Sequence, residues 1–304
     1  MEKDVIYEVT FKKRIKRFIR SMVDLWNLYK KERQGMVGLI IFLYFALIAI
    51  FAPYITDVDP SSTYAFMGPI FAAPDFFGFQ LGTDNNGIPI LSQLLWGARV
   101  SILVGFTATV MFIGIGTLIG LISGFFGGTT IDDVLMRLTD VFLVLPSLPL
   151  MITLAYILRP SIWNVILVIG LIGWPGTARL IRSQVLTVKE RAYVDAARAA
   201  GASDSYIIIK HILPNVAPLA FANAVLGVGS SILSEAALSW LGLSDPVMPS
   251  WGKMLQLANV TTALSQGFWW VLLPPGAALT VVVLSFLYMG NAFDKILNPR
   301  LRAR

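Results

Sequence analysis

Residues 36–53 read MVGLIIFLYFALIAIFAP, eighteen positions without a charged side chain. Nothing in a hydrocarbon layer can pair a free backbone amide or carbonyl, so a run like this crosses a bilayer only as a helix, with its hydrogen bonds made internally. About 20 mostly apolar residues suffice for one crossing. Five further stretches qualify, near residues 100–126, 141–158, 162–178, 217–243 and 268–292. Spans three and four are separated by only a few residues around Arg159 and Pro160, which predicts a hairpin. The composition agrees: 14% of the chain is charged, where a soluble domain carries about 25%. The expected fold is an all-α membrane protein with six transmembrane helices.

The positive charge sets the orientation. If the N-terminus lies in the cytoplasm, 21 of the 24 Lys and Arg residues fall on the cytoplasmic side, and only Arg99, Arg159 and Lys253 fall outside. Cytoplasmic loops are the ones enriched in Lys and Arg. The net charge of +6 is therefore a topology signal and calls for no nucleic acid. Six spans return the C-terminus to the cytoplasm, as expected for a multi-pass protein of the inner or plasma membrane. The chain divides into a segment 1–35, a first span with its long outer loop 36–98, a five-helix core 99–292 and a tail 293–304. In the first segment Phe11, Ile15, Phe18, Met22, Leu25 and Tyr29 recur every three or four residues among Lys12, Lys13, Lys16, Arg17 and Arg20. That pattern describes an amphipathic helix lying in the headgroups, and equally a basic retention anchor. No cleavable signal peptide is expected, because the apolar run that follows is long enough to stay in the bilayer.

Several chemistries are excluded on composition. There is no cysteine and a single histidine, His211. A thiolate site, a disulfide framework and a histidine-based metal centre or triad are all out. No GxxxxGK[ST] phosphate loop occurs, so no nucleotide cofactor is expected in this chain. An intramembrane protease needs two carboxylates converging inside the spans, and Glu235 and Asp140 sit near opposite faces. A channel would not need the insert described next.

RAYVDAARAAGASDSYIIIKHILPN, residues 191–215, interrupts the apolar series. Ala196, Ala197, Ala199 and Ala200 favour a thin helix. Gly201 suits the left-handed residue that ends one, and Ser203 suits the cap of a second. Tyr206, Ile207, Ile208 and Ile209 give the second helix an apolar surface, and Pro214 is expected to stop it before span five. The product is a helix–turn–helix knob on the cytoplasmic side. The same pattern also describes an ordinary amphipathic connector, and pattern alone does not separate the two.

The residues themselves go further. Asp195-Ala196-Ala197, three residues, Gly201, nine residues, then His211-Ile212-Leu213-Pro214 resembles the "EAA" loop of ABC importer permeases, with Asp195 in place of Glu and His211 in place of the first Ile. HILPN is similar to the dipeptide and oligopeptide branch. So are LGTDNNGIPILSQLLWGARVSILVG, ILSEAALSWLGLSDPVMPSWGKML and the end of span six with its NPRLR tail. Pro89 and Gln93 depart from that branch's acidic and arginine positions. The resemblance covers the chain from about residue 36 and is closest to the C-type permease subunit. It implies a type I ABC importer permease fold with cytoplasmic coupling helices. It also implies four partner chains, a second homologous permease, two ABC ATPases that bind ATP and Mg, and an extracytoplasmic substrate-binding protein, with the lipid bilayer around them. The chain itself would be non-catalytic. The loop 190–214 would then dock an ATPase through Asp195, Ala196, Ala197, Gly201, Ala202, Ser203, Tyr206, His211, Leu213 and Pro214. The implied cargo is di- or oligopeptides, with oligosaccharides or nickel complexes as the alternative.

Polar residues inside spans tend to face cavities or partners. Asn223, Ser230, Ser234 and Glu235 are candidates for the translocation pathway or gate. Thr107, Thr109, Thr117, Asn164 and Ser231 have the same character, with helix–helix hydrogen bonding as the alternative. Glu235 is expected near the outer end of span five, as part of an outer gate or as a headgroup-level carboxylate. Gly114, Gly116, Gly120 and Gly124 are expected to allow close helix contact. Asp132, Asp133, Arg137 and Asp140 are expected to form a charge cluster steadying the inner ends of spans two and three.

Overall fold

The computed structural model describes residues 23, 26–56, 59–60, 68–75 and 78–297. The amphipathic pattern before Trp26 and the tail beyond Leu297 lie outside the described residues. The described elements are helical. They run as α1 (Arg33–Ile55), α2 (Ile90–Phe125), α3 (Thr130–Val144), α4 (Ser147–Leu158), α5 (Ile162–Lys189), α6 (Ala192–Ala199), α7 (Asp204–Ile207), α8 (Leu213–Trp240), α9 (Trp251–Val260) and α10 (Leu273–Leu297). Among them α1, α2, α5, α8 with its preceding turns, and α10 are each long and apolar enough to cross a membrane.

Span three departs from expectation. It is two helices, α3 and α4, bent by 89°. Pro146 is the cause. A proline ring drives the residue before it out of the helical region, and Leu145 has φ −71° and ψ 130°. The expected hairpin remains, because α4 turns at Arg159 and packs along α5. Span two begins earlier than expected. The segment after the outer turn is continuous with it, so α2 is a single helix of 36 residues.

Glycines let α2 and α5 touch backbone to backbone. A Cβ at Gly116, Gly120 or Gly124 would meet Thr177 Cβ, Ala178 O or Val185 Cβ, each at 2.6 Å. Gly114 faces open space, so three of the four expected glycines make the contact. α8 lies against α2, α5 and α10. Val228, Ile232, Val282, Phe286, Trp251 and Ile102 form the core between α2, α8, α9 and α10. α1 leans on that core and leaves Ile40, Tyr44, Leu47 and Ile50 exposed, as a lipid-facing helix should.

The Pro214 expectation is corrected. The proline does not separate the insert's second helix from span five. α7 passes through a π-helical turn, Ile208–Ile212, directly into α8. The Leu213 N–H reaches back five residues to the Ile208 carbonyl. That wider turn makes room for a ring that has no N–H to offer. Asn215 donates its side-chain amide to the His211 carbonyl at 2.7 Å and satisfies it.

Candidate functional site

Two features stand out, at the Gly201 end and in the body of the helices. At the Gly201 end α6 closes with a Schellman turn. The Ala202 N–H bonds the Ala197 carbonyl at 3.1 Å and the Gly201 N–H bonds the Arg198 carbonyl at 3.0 Å. Gly201 has φ +80°, as expected for the residue that reverses the chain,. Ser203 caps α7, accepting from the Tyr206 N–H at 3.4 Å. The knob is seated by its inward face: Val194, Ile207 and Ile212 are fully buried against Ile181, Val185 and Val188 of α5. Ala197, Ala202 and Leu213 pack on the rim of that cluster.

Its outward face is open. Tyr206 and Ile209 are more than half exposed, and Tyr193 lies beside them. The His211 ring stands 5.8 Å from that of Tyr206 and 6.1 Å from that of Tyr193. Asp195 and Ala196 are exposed on α6, with Asp195 in a surface pair with Arg198 at 3.5 Å. Of the ten predicted knob residues, Asp195, Ala196, Gly201, Ser203, Tyr206 and His211 lie at the turn or outside it, while Ala197, Ala202 and Leu213 pack inward. Pro214 is exposed at the root of α8 instead. Ile207 was expected on the apolar surface but faces inward. Tyr193 and Ile209 complete the exposed tip; the aromatic of Tyr193, one turn before Ala197, was the available signal.

The second feature is a cavity of about 650 Å³ between α2, the α3–α4 bend, α5 and α8. Asn223, Ser230 and Ser234, three of the four pathway candidates, line it. Ser231, a further candidate, lines it too, as do Thr177 and Ser147, which were not singled out for this role. Their polar character inside apolar helices was visible, but which face they shared was not. Asn223 donates to Thr177 Oγ1 at 2.9 Å, and Ser231 pairs with Thr109 at 3.0 Å. Ser230 and Ser234 donate to carbonyls of their own helix, each at 2.9 Å. Their oxygens therefore face the cavity as acceptors. Phe112, Phe142 and Pro146 supply the apolar wall.

Glu235 is not on that lining. It is buried, where a headgroup-level carboxylate had been the alternative. Ser239 donates to its Oε1 at 2.5 Å and Ser101 to its Oε2 at 3.3 Å. Ser101 also accepts the Trp251 N–H at 3.3 Å, and Ser250 caps α9 by accepting the Lys253 N–H at 3.2 Å. Glu235 thus binds the start of α9 to α2 and α8. Lys253, on α9, has its ammonium pKa lowered by burial, partly offset by Asp245. Of the other polar candidates, Asn164 caps the end of α4, donating to the Leu158 and Arg159 carbonyls at 2.6 and 3.0 Å. Thr107 bonds the Leu103 carbonyl of its own helix. Gln93, one of the two departures, donates to the buried Asp84 at 2.8 Å, and Pro89 opens α2.

The charge cluster is real but differently wired. Asp132 pairs with Arg182 and Asp140 with Arg179, both partners on α5, so α3 is tied to the fourth span. The sequence spacing had suggested Arg137 because it is near in the chain.

Residues 116–303 match the family described as binding-protein-dependent transport system inner membrane component. This chain is a member of that family. Residues 22–74 match the N-terminal transmembrane domain of oligopeptide transport permease C. A dipeptide transport system permease protein of Alkalihalophilus pseudofirmus is 38% identical over 90% of this chain and 88% of its own length. The corresponding dipeptide permease of Haemophilus influenzae is 35% identical, over 92% and 95%. An oligopeptide transport system permease protein of Bacillus subtilis is 34% identical, over 93% and 92%. In three dimensions a chain of the MetNI methionine ABC transporter, in an inward-facing conformation, superposes with a TM-score of 0.57. It is 16% identical and covers 69% of this chain and 98% of its own, so it bears on the fold alone. The fold is that of a type I ABC importer permease, and the chain is a multi-pass permease subunit.

Proposed function

We propose that this permease forms half of the translocation pathway for di- and oligopeptides, handed over by an extracytoplasmic binding protein. The observation that carries the reading is mechanical. Tyr206 and Ile209 of the exposed tip belong to the same continuous helix, through the π turn, as the Ser230 and Ser234 face of the cavity, and Tyr193 on α6 flanks them across the Gly201 turn. A partner that pushes the tip moves the cavity wall. The partner is an ABC ATPase, whose cleft receives the tip, with Gly201 fixing the angle between α6 and α7. ATP and its magnesium are bound there and not in this chain. A second homologous permease closes the open side of the cavity. The knob and both termini face the cytoplasm, as the Lys and Arg distribution favours.

Peptides fit the lining better than sugars or metal complexes. Asn223 and the serine acceptors suit backbone amides, and the phenylalanine and proline wall tolerates varied side chains. The names of the relatives point the same way. The test is ATP-driven uptake of a labelled dipeptide and a labelled tetrapeptide into vesicles carrying the complete complex. Uptake should be lost without this chain and should compete with unlabelled peptide. Competition by an oligosaccharide alone would replace the peptide reading.

A further inference from the structure

The knob is anchored near the C-terminal end of α5, yet the wall of the cavity includes the α3–α4 bend, which the chain joins only to the opposite, N-terminal end of α5, through α4 and the turn at Arg159. Close to the knob, α3 is tied to α5 by an ion pair between a buried Asp132 and a half-buried Arg182. Asp132, in the first turn of α3, is 2% exposed. Its Oδ1 accepts from Arg182 Nε at 2.7 Å and from Ser123 Oγ of α2 at 2.7 Å. Its Oδ2 accepts from Arg182 Nη2 at 2.6 Å and from the Gly128 N–H at 3.0 Å. The guanidinium fork is bidentate, the geometry that fixes orientation as well as distance.

The position of Arg182 matters as much as its bonds. Its neighbours on α5, Ile181 and Val185, are fully buried in the cluster that seats Val194, Ile207 and Ile212 of the knob. One turn of α5 therefore holds the knob on one face and α3 on the next. From Asp132, α3 runs as a single helix to Leu143 and Val144, which together with Pro146 line the cavity. A second, exposed pair, Arg179 with Asp140 at 2.5 Å, parallels it further along α3.

We infer that the Asp132–Arg182 pair is the linkage that passes knob displacement from α5 to the α3–α4 wall. Both are positioning residues that couple ATP hydrolysis to movement of this half of the pathway. The inference rests on the peptide-importer reading above. A half-buried pair of this kind is a poor stabiliser compared with packed apolar residues. What it supplies is a directional contact that α3 cannot slide along.

The experiment uses the whole complex in proteoliposomes with its binding protein, and reads ATP hydrolysed per labelled peptide transported. Asp132→Asn and Arg182→Lys each break the fork, the second without loss of charge. In both, the ATPases should co-purify in normal amount and hydrolysis should persist. The ratio of ATP to peptide should rise at least about five-fold, the low end of coupling between linked sites. Asp140→Asn, at the exposed pair, should stay within about two-fold of the unaltered complex, as expected of a solvated contact. An unchanged ratio in assembled Arg182→Lys complexes would overturn the inference. So would failure of both variants to assemble, since the pair would then be a folding element. Absence of ATP-driven peptide uptake by the unaltered complex would instead reject the reading on which the inference stands.

Discussion

Gly201 shows what one residue controls here. A Cβ built on it meets nothing within 4 Å, so any penalty for a side chain comes from φ +80° and not from crowding. That penalty is about 1–2 kcal/mol for a residue with a Cβ. It is too small to keep the helices out of a membrane but large enough to reset the angle between α6 and α7. Gly201→Val should therefore insert normally and yet lose most ATPase co-purification and peptide uptake, whereas His211→Ile should keep both within about two-fold, an ordinary surface effect. Full assembly and uptake by Gly201→Val would reduce the knob to a connector. This turn was legible in the sequence because its signals are local: a glycine after an alanine run and a serine two residues on. Glu235 was not. Its depth along α8 followed from helix rise, but Ser101 lies 134 residues away, and no local pattern foretells that partner.

At the level of elements, the α2–α5 contact and the α3–α4 break divide along the same line. The glycine spacing Gly116, Gly120, Gly124 pointed to close packing, and the packing is there. Gly120→Ala would press a Cβ to within 2.6 Å of the Ala178 carbonyl, and overpacking of this kind costs about 1–3 kcal/mol. Gly114→Ala meets open space and should be neutral or slightly stabilising. The check is the thermal unfolding midpoint of the detergent-purified chain; equal midpoints for both variants would deny that the contact bears weight. The break at Pro146 was available in the sequence too. Hydropathy averaged across residues 141–158 hides it, because a proline changes direction without changing apolarity. The π turn before α8 was beyond reach, since Pro214 reads as a stop unless the preceding turn is already known to be wide.

For the whole molecule, the outcome hinges on orientation. The chain has no native cysteine, so single exposed cysteines report cleanly. Ser205→Cys beside the knob should resist a membrane-impermeant thiol reagent in intact cells, and Ser265→Cys at the opposite end should react. The reverse pattern would invert the topology. Span number, handed charge distribution and family membership could all be read from one dimension, because each is a sum over many residues. Which faces meet around the cavity could not, because that depends on rotations set jointly by several helices. The lining has a consequence for energetics: none of the residues around the cavity is ionisable. The lining thus puts no fixed charge beside whatever occupies the cavity; Glu235, Asp132 and Arg182 lie on the same helices but away from it. Each elementary charge crossing 100 mV is worth about 2.3 kcal/mol. The lining adds nothing to that term, so a cationic peptide in the cavity would be drawn toward a negative interior and an anionic one held back by the same amount.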